Sequence, residues 1–286
     1  MTWRDIIEKS SRFLIAKGID DGESASEFLA ARLLGVTRGM LAATLAKQPE
    51  QKHIDAMRRG VLRLASGEPL QYILGEWDFR ALTLKCDRRA LIPRPETEGL
   101  VSLVLSYLAK KSYLSAPFIV DVGTGTGAII LSIAKEYKGE AILLGSDVSE
   151  EAIKLAKENS AKTKLENKVE FVVMDGLDDF EDPGIIDIII SNPPYIASAE
   201  CDRLDRRVKD FEPRLALDGG KEGLDFYDRY LMDALNLLKS GGAVFFEIGE
   251  SQGEQIRKLM RNYGFENIEI RQDLAGRDRY ASGILP

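Results

Sequence analysis

One histidine, His53, and two cysteines, Cys86 and Cys201, are all that 286 residues offer for the commonest metal and nucleophile chemistries. A Ser-His-Asp triad or a metal centre built on histidine has almost no material here. The two cysteines lie far apart without metal-ligand spacing, so neither a zinc site nor a disulfide framework is expected. His53 falls in an amphipathic helical stretch, where a solvated or capping role is the expectation. No apolar run approaches the roughly 18 to 20 residues that span a bilayer, and the start, Met1-Thr2-Trp3-Arg4-Asp5, lacks a signal-peptide pattern. No membrane association and a cytoplasmic address are therefore expected. Positive charge is also short: the net charge is −7, with no overall bias toward a phosphate backbone. Arg203, Arg206, Arg207 and Lys209 do cluster, but Asp202, Asp205 and Asp210 interleave with them, and the expectation is a solvated mixed-charge segment.

What is present begins with Asn192-Pro193-Pro194-Tyr195, which follows the apolar run Ile185 to Ser191. A β-branched run that stops at a proline pair reads as a buried parallel strand, and ligands of open α/β sheets gather at the carboxyl ends of such strands. Prolines lack an N–H, so this loop presents mostly carbonyl acceptors, to which Asn192 adds a side-chain oxygen and Tyr195 a flat ring. The set suits a planar –NH2 group, held by the Asn192 oxygen and the Pro193 carbonyl with an aromatic ring on its face. Drawing the two hydrogens to acceptors favours a transition state in which the nitrogen lone pair turns to an electrophile. A plain strand-terminating turn with asparagine as turn former explains the same four residues.

A second constellation, Phe118-Ile119-Val120-Asp121-Val122-Gly123-Thr124-Gly125-Thr126-Gly127-Ala128, runs from strand through glycine turn to helix. Glycines there allow positive φ and close approach of a ligand to the main chain. The next strand ends in Asp147, where a carboxylate can take both hydroxyls of a ribose, and a third acidic position, Asp175, precedes Gly176. Each aspartate alone could cap a helix or turn. Together with the glycine turn they read as a nucleoside pocket.

Around these motifs the organisation is simple. Residues 1–70 carry helical periodicity, broken at 18–22, 35–37 and Pro49, and read as four short helices in a bundle. Residues 71–92 form a linker in which Tyr72 to Leu84 alternates apolar and polar residues as a β-hairpin would. Residues 93–286 open with a proline-stiffened loop and a helix from Thr97 or Glu98, then alternate strand and helix and close on two strands, near 267–271 and 279–284, read as an edge hairpin. The alternation predicts an α/β fold with a mostly parallel sheet covered on both faces.

The nucleotide pocket followed by Asn-Pro-Pro-Tyr resembles an S-adenosylmethionine-dependent N-methyltransferase of the seven-stranded Rossmann-like class. More closely, Gly67 to Gly75, Ile92 to Glu98, Asp121 to Ala128, Ser191 to Ile196 and Asp218 to Leu224 are similar to the HemK/PrmC family. Those enzymes methylate the glutamine of the Gly-Gly-Gln motif in peptide-chain release factors, at the side-chain N5. The resemblance implies S-adenosyl-L-methionine as cofactor, with its methionine part near Gly123, Thr124, Gly125, Thr126 and Gly127 behind Asp121. It implies the ribose on Asp147, the adenine near Asp175 and Gly176, and Asn192 close to both donor and substrate. Asn192, Pro193 and Tyr195 are then the catalytic residues, with Pro194 completing the substrate site. The helical domain becomes a docking domain for a release factor, on a monomer that does not itself bind nucleic acid. Glutamine methylation of a ribosomal protein, N6-adenine methylation of DNA and a non-catalytic binding scaffold are the competing readings.

Overall fold

The computed structural model describes all residues, 1–286, and the chain divides into two compact units. The first comprises Met1–Glu76 with Arg206–Phe211, the second Trp77–Asp205 with Glu212–Pro286. No helix is long and apolar enough to cross a membrane.

In the first unit α1 (Trp3–Ala16) starts at a capping box, Thr2 accepting from the Asp5 N–H while the Asp5 carboxylate accepts from the Thr2 N–H. It buries Trp3, Ile6, Ile7 and Leu14, residues spaced to share one helical face. Helix α2 (Gly22–Leu34) ends on Gly35 in the left-handed region, and α3 (Gln51–Ala65) lies against it, Gly60 making room for Leu29. A 3-10 turn spans Arg38–Ala43, so three full helices, this turn and one short helix stand where four helices are expected.

That short helix is a correction. Leu70–Leu74 form α4, entered through Pro69 and ended by Gly75 at φ 75°, so the first half of the expected hairpin is helical. The hairpin itself is shorter, β1 (Glu76–Phe79) and β2 (Leu82–Lys85). Its turn places Arg80 at φ 51°, a strained conformation for a side-chain-bearing residue. The Arg80 guanidinium offsets this with two 2.7 Å bonds to Glu136, and the Arg80 N–H donates to Glu98.

In the second unit α5 (Thr97–Lys110) precedes an alternation of strands and helices. These are β3 (Phe118–Val122), α6 (Ala128–Glu136), β4 (Ile142–Asp147), α7 (Glu150–Thr163), β5 (Glu170–Val173) and β6 (Ile186–Ser191). After β6 come the single-turn helix α8 (Ser198–Cys201), a second one, α9 (Arg206–Lys209), whose residues belong to the first unit, and then α10 (Asp225–Leu237), β7 (Leu238–Glu247), α11 (Gly253–Asn262), β8 (Glu266–Gln272) and β9 (Asp278–Ile284). The seven-stranded sheet runs β5-β4-β3-β6-β7-β9-β8, parallel as far as β7 and antiparallel for the closing hairpin. Strand β7 begins at Leu238, not near Ala243, because the chain leaves α10 directly into sheet pairing with Ile186.

Every residue of β6 is buried, and beyond an irregularity between Ile186 and Ile188 successive side chains serve opposite faces. Ile188 and Ile190 join Leu100, Val104, Ile130 and Leu131 on one side, and Ile186 and Ile189 join Tyr227, Leu231, Ile256 and Met260 on the other. Burying such an isoleucine is worth about 1.5 to 3 kcal/mol as an upper figure, so the sequence commits this strand to the sheet centre.

Candidate active site

The strand order reverses at β3, whose neighbours β4 and β6 are reached by crossovers in opposite directions. In open α/β sheets the crevice at such a point is the ligand site. Register puts the ends of these strands side by side: Val122 is opposite Ser146 on β4 and Ser191 on β6, and Asp147 is opposite Val173 on β5. The loops leaving these ends therefore converge, and a cleft of about 1040 Å³, open mouth included, lies among them.

Its floor is the glycine turn. Gly123, Gly125 and Gly127 take φ values of 72°, 55° and 80°, which side-chain-bearing residues rarely adopt. Gly123, Thr124, Gly125 and Thr126 line the cleft; Gly127 does not, packing instead toward Leu131 and Ala156. Asp121 sits inside β3, fully buried and off the cleft wall, where one carboxylate oxygen accepts from the Thr124 hydroxyl at 2.6 Å and the other has no partner. Burial pushes this carboxyl up to about 7. The sequence places it at a strand end open to ligand; the fold puts it beneath the turn.

Asp147 does line the cleft, its two oxygens accepting from the N–H groups of Gly125 and Ser149 at 2.9 Å each. Burial raises its pKa against the lowering effect of those two bonds. Each oxygen keeps a lone pair for a further donor. Asp175 and Gly176 line the same wall, and Arg229 holds Asp175 through a 2.8 Å bond. Ile129, Ala152, Met174, Phe226 and Tyr230 supply apolar surface, and none of them is singled out by a sequence motif. Carboxylate acceptors, an apolar slot and an open backbone cradle at Gly123, where an added Cβ would meet nothing within 4 Å, fit a nucleoside bearing an amino-acid tail.

At the far side Asn192 and Pro194 line the cleft, whereas Pro193 is buried and Tyr195 packs on the core beneath α10. The Asn192 amide donates its Nδ2 to Thr97 Oγ1 at 3.2 Å, and the Thr97 hydroxyl donates to Glu247 Oε2 at 2.7 Å. Glu247 ends β7 almost fully buried, and burial pushes its carboxyl up to about 7. The loop is braced from outside by 218–224. An added Cβ on Gly219 would stand 2.5 Å from the Pro194 carbonyl oxygen, and one on Gly223 would stand 2.3 Å from that of Tyr195. Gln252 Nε2 bridges the carbonyls of Tyr195 and Gly223. The proline loop from Ile92 is tied by Glu212, which accepts from the Ile92 N–H and pairs with Arg94. Sequence motifs reveal neither Glu212 nor Glu247, since both act through the fold and leave no local spacing. The two cysteines are free thiols in buried positions, and burial pushes Cys86 up to about 12.

Comparison with known proteins gives this geometry its family. The chain matches the family model for the PrmC N-terminal domain over residues 5–75 and that for the methyltransferase small domain over residues 101–211. It is 37% identical to the release factor glutamine methyltransferase of Moorella thermoacetica, the match covering 98% of this chain and 97% of that one. The chain belongs to the release factor glutamine methyltransferase family. Within that family it is also 32% identical to the human MTRF1L release factor glutamine methyltransferase, across 97% of this chain and 84% of the human protein. The human Mettl16 catalytic domain, solved with an RNA hairpin, has a similar fold, with a TM-score of 0.56 at 16% identity covering 82% of each chain. Family membership makes S-adenosyl-L-methionine the cofactor, and the cleft has the donors, acceptors and room for it.

Proposed function

We propose that this protein methylates the side-chain amide nitrogen of the glutamine in the Gly-Gly-Gln motif of peptide-chain release factors. The observation that carries the reading is the orientation of Asn192. Its NH2 is turned inward to Thr97, so its oxygen is the group left for a ligand at the cleft wall. An acceptor at that place, beside a nucleoside-shaped slot, suits a planar amide donor.

S-adenosyl-L-methionine, when bound, supplies a methyl group already activated by the sulfonium charge. The cradle of Gly123 to Thr126 would hold its amino-acid tail, Asp147 would take the ribose hydroxyls, and Asp175, Gly176, Phe226 and Tyr230 would flank the adenine. Asn192 Oδ1 and the Pro193 carbonyl take the two N–H hydrogens of the glutamine amide. That contact strengthens as the nitrogen becomes pyramidal and its lone pair is freed, which is where it accelerates the reaction. Positioning supplies the remainder, because donor and acceptor are held in one cleft. Tyr195 supports the loop from the core side. The helical unit supplies the second contact area that a glutamine on a flexible loop cannot provide alone, and the protein works as a monomer without direct nucleic-acid contacts.

Transfer of labelled methyl from S-adenosyl-L-methionine to a folded release factor tests the reading, with the factor's Gly-Gly-Gln glutamine replaced by alanine as control. Label is expected on the intact factor and absent from the control. Label on the control, or preferential labelling of a ribosomal protein or of duplex DNA, would overturn it.

A further inference from the structure

The glutamine-methylating reading gives Asn192 a task that depends on which way its amide points, and nothing in the Asn-Pro-Pro-Tyr loop itself fixes that. An amide flipped by 180° has nearly the same shape but offers an NH2 where the reaction needs an acceptor. The answer lies behind the loop, on two residues from distant parts of the chain. Thr97 is the first residue of α5 and Glu247 the last of β7; both are buried, at 4% and 1% exposure.

A threonine hydroxyl has one hydrogen. In this structure it goes to Glu247 Oε2 at 2.7 Å, so the side facing Asn192 presents only lone pairs and accepts Nδ2 at 3.2 Å. Burial pushes the Glu247 carboxyl up to about 7, so the lock belongs to pH values above that, where the ionised carboxylate is acceptor-only; this removes the alternative in which Thr97 turns its hydrogen to a flipped Asn192 oxygen and leaves Glu247 unpaired in the core. Both members are held firmly. Tyr280 Oη donates to the Glu96 carbonyl at 2.6 Å, just before Thr97, and fills the space that Gly99 leaves; an added Cβ there would lie 2.1 Å from that oxygen. Glu247 pairs with Tyr280 across the β7–β9 ladder, and its carbonyl accepts from Tyr227 Oη at 2.8 Å.

We infer that Thr97 and Glu247 are positioning residues for methyl transfer: their hydroxyl–carboxylate pair locks the Asn192 amide with its oxygen toward the substrate. The inference rests on the glutamine-methylating reading. It also explains why a carboxylate with no ion-pair partner is kept at the end of the central sheet's parallel part, where an apolar residue would cost less to bury.

The test compares wild type, Thr97→Val, Thr97→Ser and Glu247→Gln in full-length protein acting on a release factor. Thr97→Val keeps the shape and loses the hydroxyl. Its kcat is expected to fall on the order of 10- to 100-fold, with donor affinity from calorimetry changed less than about twofold, and Thr97→Ser is expected to restore most of kcat. Glu247→Gln can donate to Thr97 and free its hydrogen for a flipped Asn192, and a loss in kcat similar to that of Thr97→Val is expected. In an Asn192→Ala background Thr97→Val should add less than about a further twofold, since the group it positions is gone. A readout independent of turnover is the Asn192 side-chain 15N–1H pair, identified by its disappearance in Asn192→Ala. Its hydrogen exchange should be slow in wild type and fast in Thr97→Val. Normal kcat in Thr97→Val, losses that multiply in the double variant, or unchanged exchange would each overturn the inference. A wild-type enzyme that transfers no methyl to the factor would overturn the functional reading itself and the positioning role with it, while the exchange experiment still reports separately whether the amide is locked.

Discussion

Asn192 and Asp147 line one cleft from the ends of strands on either side of β3, and substitution is expected to separate their effects. Asn192→Ala removes a contact that matters most at the transition state, so kcat should drop by about 100-fold or more while donor affinity stays near wild type. Steady-state kinetics beside calorimetry check this, and tight dependence of donor binding on Asn192 with normal turnover would remove it from the role. Asp147→Ala should act the other way. Losing charge-assisted ribose bonds worth about 1.5 to 3 kcal/mol weakens donor binding by roughly 10- to 150-fold, and an unchanged calorimetric affinity would contradict the placement. Both residues were legible in the sequence because each closes a strand and stands beside residues with an obvious backbone role. The pairing of Thr97 with Glu247 was not, because 150 residues separate them and only the fold brings them together.

Among the elements, the stretch 218–224 is a brace for the Asn-Pro-Pro-Tyr loop. Gly223 has φ 72°, and its Cβ would press on a backbone oxygen that cannot swing aside, so Gly223→Ala should strain the loop directly. A cost of about 1 to 3 kcal/mol is expected, seen as a lowered Tm, together with a fall in kcat larger than the change in donor affinity. A variant with wild-type Tm and kcat would show that the two loops do not depend on one another. The sequence presents this stretch only as a family motif; the reason for its glycines, close approach of two backbones, is tertiary. The strand-to-helix alternation was far easier to read, since a run such as Ile186 to Ile190 has no alternative to a two-sided burial.

Two buried carboxylates contribute to the pH response of the whole molecule. Asp121 and Glu247 are both pushed up to about 7 by burial, from ordinary values of 3.8 and 4.5. Between roughly pH 4 and 7 these two groups therefore hold protons in the folded chain that they have released in the unfolded chain, and their contribution to folding stability declines as pH rises through that window. Each group contributes a slope of at most about 1.4 kcal/mol per pH unit. Denaturant unfolding at several pH values should show the decline, and Asp121→Asn or Glu247→Gln should flatten it; an unchanged slope in both variants would exclude these carboxylates as its source. The helical unit belongs to this scale as well. Phe13, Ile15 and Leu62 are exposed there, at 38%, 52% and 55%. If that unit docks the factor, replacing all three by serine should raise KM for the folded factor by about 10-fold while activity on a short Gly-Gly-Gln peptide is unchanged. Equal losses on both substrates would reassign the unit.

What the sequence by itself determined is the local chemistry. A β-branched run bounded by prolines, glycines where only positive φ serves, and aspartates after strands depend on backbone sterics and side-chain burial within a few residues, and they carried the α/β sheet and the family resemblance. What only the tertiary structure decided is everything held by partners distant in the chain. It buried Asp121 beneath the turn, made 70–74 helical, grouped 206–211 with the helical unit, and set the amide of Asn192 through a hydroxyl and a carboxylate from two other elements. The physical reason is that hydrogen-bond direction and desolvation depend on which groups surround an atom, and those neighbours exist only once the sheet has brought its strand ends together.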